Sequence, residues 1–418
     1  MATFYNFTQG GRVNSFDDTF VQKNVVEDGE LFSCGDNNNG GLGINNTQGR
    51  STPVQEYTSS TNWIHCSAQG YNGSYAIKSD GTLWAWGDNI EGNVGDNAQN
   101  QNRSTPRQIS LAAVGGLTGW RLIQGAGGFG AIAIRNDGSL WRWGYVFTGD
   151  NTGTTRRSTP RQISIAEAGG LFGWKEISIN SSTSAAIRTD GTLWIWGDNA
   201  FGKIGDGTFD GGVQGTNARS TPRQISAGAT RITGWKKVSC GYHHTSAIRE
   251  DGTLWAWGRN HLGQLGNNQT GTNSLTPVQE FSASNNWKEV DCGRYNTFAI
   301  KEDGSLWCWG YNGFGQLGVN DTTDRPTPTT VWNNTKDWQT ISSGDYATVA
   351  IKTNGELWTW GSNNNPANSG NAGNGVLGTN DRVQRNTPVQ TVMGGNNWKQ
   401  ASIGWGSMVA IRYLDSRI

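Results

Sequence analysis

Charge of either sign, histidine and cysteine are all scarce in this chain, and each shortage removes a class of function. Only 16% of the 418 residues are charged, and Lys+Arg 33 balances Asp+Glu 33 at a pI of ≈ 6.9. With no global field, neither nucleic acid nor a membrane is expected among the partners. The cysteines Cys34, Cys66, Cys240, Cys292 and Cys308 are odd in number and never spaced as C-x-x-C, so they read as small buried thiols rather than a disulfide framework or a zinc knuckle. Of the four histidines, His65 and His261 lie in different repeat phases from His243 and His244, which leaves no metal site. No run of about 18 apolar residues occurs, and MATFYNFTQGGRVNSFDD has neither a basic n-region nor an apolar h-region. The expectation is a protein soluble as made, without metal or cofactor.

What the chain has in excess is glycine, 61 residues, and tryptophan, 21 residues. They recur together. Aligned on a two-residue turn, the chain reads DGELFSCG from Asp28, DGTLWAWG from Asp80, DGSLWRWG from Asp137, DGTLWIWG from Asp190, DGTLWAWG from Asp251, DGSLWCWG from Asp303 and NGELWTWG from Asn354. A Thr-Pro marker keeps step at Pro53, Pro106, Pro160, Pro222, Pro277, Pro328 and Pro388, and a lone tryptophan at Trp63, Trp120, Trp174, Trp235, Trp287, Trp338 and Trp398. Three markers in seven copies define a repeat of 51 to 61 residues.

Within a unit the period is two, never 3.6: Leu83-Trp84-Ala85-Trp86 alternates, Trp235-Lys-Lys-Val-Ser-Cys alternates, and Ala-Ile-Lys or Ala-Ile-Arg leads into an Asp-Gly hairpin. Taken in the order Pro-x-Gln-Ile, Trp-Lys-x-Ile, Ala-Ile-Lys, Leu-Trp-x-Trp-Gly, these are four short strands per unit. The fold class is therefore all-β, a seven-bladed β-propeller of four-stranded antiparallel blades. Nineteen of the 21 tryptophans occupy repeat positions; each buried one contributes at most roughly 4–6 kcal/mol, which makes them the core. The C-terminal NNWKQASIGWGSMVAIRYLDSRI supplies two strands but no Leu-Trp-x-Trp strand, and DGELFSCG supplies that strand without its predecessors. The N-terminal strand is thus expected to complete the C-terminal blade, in preference to FVQKNVVEDG taking the slot of Met408 to Arg412. Residues 1–27 form an arm, 28–413 the propeller and 414–418 a tail.

GAGGFG, Gly125 to Gly130, matches the G-x-G-x-x-G of a dinucleotide loop. That loop needs a helix after it, so that pyrophosphate meets a helix N-terminus. Here AIAIRNDGSLW follows, a strand and a hairpin, so the glycines belong to a tight turn of the repeat.

The segment GYHHTSAIREDGTLWAWGRNHLGQLG from Gly241 resembles the repeat of the regulator of chromosome condensation family, and the resemblance runs over residues 28 to 413. It implies a seven-bladed propeller. Its members include a nuclear guanine-nucleotide exchange factor, an inhibitor of β-lactamases, ubiquitin-ligase domains and proteins of bacteria and tailed phages, so it implies no single activity. The exchange factor carries a basic tail, whereas Arg12 stands here beside Asp17 and Asp18. Asn/Gly/Thr-rich linkers such as GDNAQNQNRSTPRQIS and GVNDTTDRPTPTT are most similar to phage repeat proteins.

Asp-Gly turns occupy one face of a meander, so the preceding strand-to-strand loop and the loop after Leu-Trp-x-Trp-Gly share the other. The first of these presents Tyr71, Phe129, Tyr242 with His243, Arg294 with Tyr295, Asp345 with Tyr346, and Trp405. Such a ring has the composition of interface hot spots, and it is read as a surface for a protein or a glycan. A His, an Asp and an Arg on one face could support acid-base chemistry, but the His-Thr-x-Ala-Ile segment is an ordinary part of the repeat and no catalytic residue is assigned. GDGTFDGGVQG, with Asp206 and Asp210, lacks the calcium-loop spacing. The third copy departs after Gly144, and the loops Asp206 to Arg219 and Asn363 to Gly375 are long. The expected function is a non-enzymatic structural or adhesion module of a phage particle, bound to other virion subunits or a host surface protein. The alternative is a soluble, cytoplasmic or extracellular, protein-binding regulator or inhibitor.

Overall fold

The computed structural model of the protein describes residues 28–69, 73–109, 118–126, 130–147, 154–163, 172–209, 218–227, 230–364 and 375–414. Among these, regular structure is β throughout apart from one 3-10 turn at Trp332–Asn334. Five sheets are four-stranded antiparallel meanders of one design. In one of them Trp235–Cys240 pairs His244–Arg249, which pairs Leu254–Gly258, which pairs Ser274–Gln279, with Val238 opposite Ala247, Ala247 opposite Trp255 and Trp255 opposite Gln279.

This order corrects one expectation. The Thr-Pro strand is the outermost strand, paired with the Leu-Trp-x-Trp strand before it, rather than the opening strand of the unit that follows. Proximity along the chain points the other way, because the Thr-Pro strand stands close to the next lone tryptophan. The ladder decides it: Trp84 faces Gln108 and Gly87 faces Arg103.

An eight-stranded sheet joins the chain ends. It consists of the meander Trp63–Gln69, Gly73–Lys78, Leu83–Gly87, Arg103–Gln108 and a second meander, Trp398–Ile403, Ser407–Tyr413, Gly29–Gly35, Arg50–Gln55, which meet at the single pair Gly29 and Trp63. Ser407–Tyr413 runs in continuous register with Gly29–Gly35, from Tyr413 opposite Gly29 to Ser407 opposite Gly35. Two strands come from each end of the chain, one more from the N-terminal side than the missing Leu-Trp strand alone.

The apolar faces close between neighbouring meanders. Ile77, Leu83 and Ala85 pack with Trp120, Ile123 and Trp143 of the next unit, and Ala185, Leu193 and Ile195 pack with Trp235, Val238 and Trp257. Lone tryptophans meet the Leu-Trp-x-Trp pair edge to face, as Trp287 does with Trp307 at 6.1 Å and with Trp309 at 6.1 Å. The second tryptophan of the pair also donates its Nε1–H to a loop carbonyl of the preceding unit: Trp143 to Asn93, Trp257 to Lys203, Trp309 to Gln264, Trp360 to Gln316, all within 2.8–3.0 Å. A polar tip thus joins each of these four interfaces, whereas the buried Trp196 Nε1–H, next to the irregular third copy, has no such partner among the described residues. The five cysteines are all buried and unpaired, and burial pushes the Cys240 and Cys292 thiols up to about 12.

The G-x-N motif has a structural cause. Asn37, Asn89, Asn199, Asn260, Asn312 and Asn363 are fully buried. Asn260 accepts the Leu265 N–H at 3.0 Å and donates to Gln269 O at 2.9 Å and Asn267 Oδ1 at 3.0 Å, so one side chain ties the whole loop. Asn260→Ala is expected to lower unfolding free energy by about 2–3 kcal/mol, because buried loop groups lose their partner; equilibrium denaturation would show it. The third copy has Val146 at this position. There the two outer strands lengthen to Leu140–Phe147 and Thr154–Gln162, with Phe147 opposite Thr154.

Candidate functional site

The lone-Trp strands line a central cavity of about 240 Å³. The fifth residue of each such strand points into it: Ser67, Gln124, Ser178, Ser239, Asp291, Ser342 and Ser402. Each accepts a backbone N–H from the adjacent unit. Ser67 takes Gly125 at 3.1 Å, Gln124 takes Ile179 at 3.2 Å, Ser178 takes Cys240 at 2.8 Å, and Ser239 takes Cys292 at 2.8 Å. Asp291 takes Ser343 at 2.6 Å, Ser342 takes Ile403 at 3.2 Å, and Ser402 takes Ala68 at 3.0 Å. Followed in order, these bonds return to the strand where they began. Six members are neutral; Asp291 is the exception, and burial pushes its carboxyl up to about 7.

At one mouth of the cavity stand Tyr242, Asp345 and Trp405. Outward from there the structure gathers six of the nominated residues, contributed by three consecutive units. Arg294 Nη1 donates to Asp345 Oδ2 and to the Tyr346 hydroxyl, each at 3.1 Å. Its guanidinium lies 5.0 Å from the Tyr242 ring, 5.4 Å from Tyr295 and 5.6 Å from Tyr346. His243 packs on Tyr242 at 4.6 Å and stacks on Tyr295 at 5.6 Å. All six side chains are half-buried. Trp405 shares the cavity lining with Tyr242 and Asp345, whereas Tyr71 and Phe129 fall outside the described residues. The cluster is wider than the sequence reading made it. Phe201, Arg259, His261, Tyr311 and Phe314 join it, with Phe201 5.0 Å from His243, His261 5.6 Å from Tyr295, and Phe314 5.0 Å from Tyr346. The signal was available. Phe201, His261 and Phe314 follow the buried asparagines in the G-x-N-x-x-G loop, which shares this face.

The electrostatics favour contact over proton transfer. Burial, together with the charges of Lys203, Arg259 and Arg294, holds the His243 imidazole down to about 3, so it is neutral at physiological pH. Burial raises the Asp345 carboxyl to about 6 against the pull of Arg294, whose guanidinium occupies it. His244 is buried beneath, its Nε2 2.8 Å from Thr297 Oγ1; that hydroxyl spends its own hydrogen on Gln264 O at 2.9 Å, so His244 is the donor and is structural. Among the described residues, no group of three His, Cys, Asp or Glu is placed to hold a metal ion, and no helix is long and apolar enough to cross a membrane. GAGGFG straddles the strands Trp120–Ala126 and Gly130–Arg135, and its first glycine is a donor of the cavity ring.

A family model described as RCC1-like domain matches residues 122–415, and one described as regulator of chromosome condensation (RCC1) repeat matches residues 28–77. The chain belongs to the RCC1 family. RCC1 domain-containing protein RUG3, mitochondrial, of Arabidopsis thaliana is 30% identical over 287 residues, 68% of this chain and 62% of that protein. The ultraviolet-B receptor UVR8 of Arabidopsis thaliana is 28% identical over 366 residues, 86% of this chain and 76% of that protein. This RCC1-family chain therefore spans less than two thirds of RUG3. Among solved structures, Prp20p from Saccharomyces cerevisiae, described with its binding properties to Gsp1p and histones, superposes with a TM-score of 0.76 at 17% identity, covering 94% of this chain and 93% of that one. At that identity the likeness concerns the RCC1 propeller fold alone.

Proposed function

We propose that this RCC1-family chain is a closed propeller of seven blades that works without catalysis, as a protein-binding regulator, through the face holding Tyr242, His243, Arg294, Tyr295, Asp345 and Tyr346. Seven blades in a closed ring is the reading supported by the cavity bonds, which pass through seven lone-Trp strands and return to the first. The observation that carries the binding reading is Arg294, fixed by Asp345 and Tyr346 and surrounded by three tyrosine rings while half-exposed. Rigid aromatic and arginine side chains offer contact area at small entropic cost, as interface hot spots do. A regulator is favoured over a virion component, to which the comparisons lend no support, and a protein partner over a glycan. UVR8 is a receptor, and Prp20p is described with Gsp1p and histones as binding partners.

Replacing Tyr242, Tyr295, Tyr346 and Trp405 together by serine tests this. Capture of the partner is expected to fall by at least roughly 100-fold if a few hot spots of about 2 kcal/mol each are lost, with the melting temperature little changed. A large loss of stability with capture intact would show that these rings only cap the channel.

A further inference from the structure

Among the described residues two cations of this face hold a carboxylate and a third does not, while the Asp324 carboxylate, near His261 and Tyr311, accepts the Asn312 N–H at 2.8 Å and forms no ion pair. Lys203, buried, pairs with Asp198 at 2.8 Å, and Arg294 pairs with Asp345 at 3.1 Å. Arg259 has no such partner: among the described residues no carboxylate lies within 4.0 Å of it. Nor is it a loose surface arginine. Its guanidinium sits 4.5 Å from the Phe201 ring and 5.9 Å from the Tyr295 ring, and its backbone N–H donates to His243 O at 2.9 Å. Stacking on two rings restricts the side chain before any ligand arrives, so little rotamer freedom remains to be lost on binding. His243, neutral beside it, supplies no competing charge. Phe201 offers apolar surface beside it, and Phe314 packs on Tyr346 farther along the same face.

We infer that Arg259 is the point at which this face takes a carboxylate from a partner protein, within an acidic segment whose Glu or Asp is flanked by an aromatic or aliphatic side chain. The chemistry follows from the guanidinium fork, which matches a carboxylate through two parallel N–H bonds, and from the rings on either side, which fit an apolar neighbour. A neutral ligand would leave the unmatched charge where it is. A basic segment would add a second like charge beside Arg294. The inference rests on the binding reading of the face given above.

A library of random 12-residue peptides, panned against the full chain, tests it. Retained peptides are expected to be enriched in Glu or Asp next to Phe, Tyr, Trp or Leu. Arg259→Gln is expected to cut their retention by at least roughly tenfold, the scale of a charged hydrogen bond, and Arg259→Lys to restore only part of it, because a point charge lacks the fork. Raising salt from 0.05 to 0.3 M, roughly the range in which exposed charges become screened, should weaken the native chain more than the Gln variant. Retention that is lost in Tyr295→Ser yet unchanged in Arg259→Gln, or that shows no acidic preference, overturns the carboxylate inference and leaves the contact face standing. No retained peptides, or retention indifferent to both substitutions, overturns both.

Discussion

Replacing Trp309 by alanine is expected to lower the free energy of unfolding by about 3–5 kcal/mol, the range of a large core truncation. The indole is fully buried, packs edge to face on Trp287 at 6.1 Å, and donates Nε1–H to Gln264 O at 2.9 Å across the boundary with the preceding unit. That carbonyl also accepts the Thr297 hydroxyl at 2.9 Å, so the truncation does not orphan it, and most of the cost comes from the cavity and the lost dispersion contacts. On one side the void is walled by Gly266, which has no side chain to fill it and lies so close that a Cβ there would stand 2.7 Å from Nε1. Trp332 provides the contrast. It is 44% exposed and outside the repeat positions, and Trp332→Ala is expected to change stability by no more than about 0.5 kcal/mol. Guanidinium denaturation of the two variants side by side is the measurement. Equal effects would mean that burial within the repeat is not what holds the blades together.

Asp291→Ser is expected to stabilise the protein at pH 8 and to do nothing at pH 4. In the folded chain burial raises this carboxyl to about 7, whereas in an unfolded chain it titrates near about 3.9. The folded state therefore holds the proton more tightly. Stability contributed by the protonated carboxyl is fully present below about pH 4 and is lost as pH rises through about 7. Integrated over that window the loss is at most about 4 kcal/mol. Asp291 is partly exposed to the cavity, which screens some of this, so a gain of about 1–3 kcal/mol at pH 8 is expected for the serine variant. Serine can assume the structural role, since Ser67, Ser178, Ser239, Ser342 and Ser402 accept the same backbone N–H at equivalent positions. Melting temperatures measured between pH 4 and pH 8 would decide it; a constant difference across that range would show that Asp291 does not titrate there.

Asp291 also marks the boundary of what could be read from the chain. Its place as the fifth residue of a lone-Trp strand is visible in the sequence, yet nothing there says that this position faces a cavity shared by all seven strands. The same holds for the aromatic face. Tyr242, His243, Arg294, Tyr295, Asp345 and Tyr346 were legible because the Asp-Gly turn assigns the neighbouring loop to the opposite face of a meander. Phe201, Arg259 and Phe314 stand in a loop assigned to that face too. Their contact with the others depends on how far adjacent blades lean together, which no local pattern encodes.

Strand period, turn chemistry and the tryptophan core were determined by sequence alone, because each is a property of a few consecutive residues: alternation buries one side of a strand, glycine takes the positive φ of a turn, and an indole is too apolar to leave in water. Tertiary structure decided the rest. The Thr-Pro strand has two candidate neighbours in sequence and only one ladder in space. The strand Gly29–Gly35 finds its partner across more than 370 residues, at Ser407–Tyr413. Arg294 meets the carboxylate of Asp345 from the next unit, whereas among the described residues Arg259 meets none within 4.0 Å. Such pairings are fixed by three-dimensional approach, and the repeat supplies equivalent residues for each without saying which will meet.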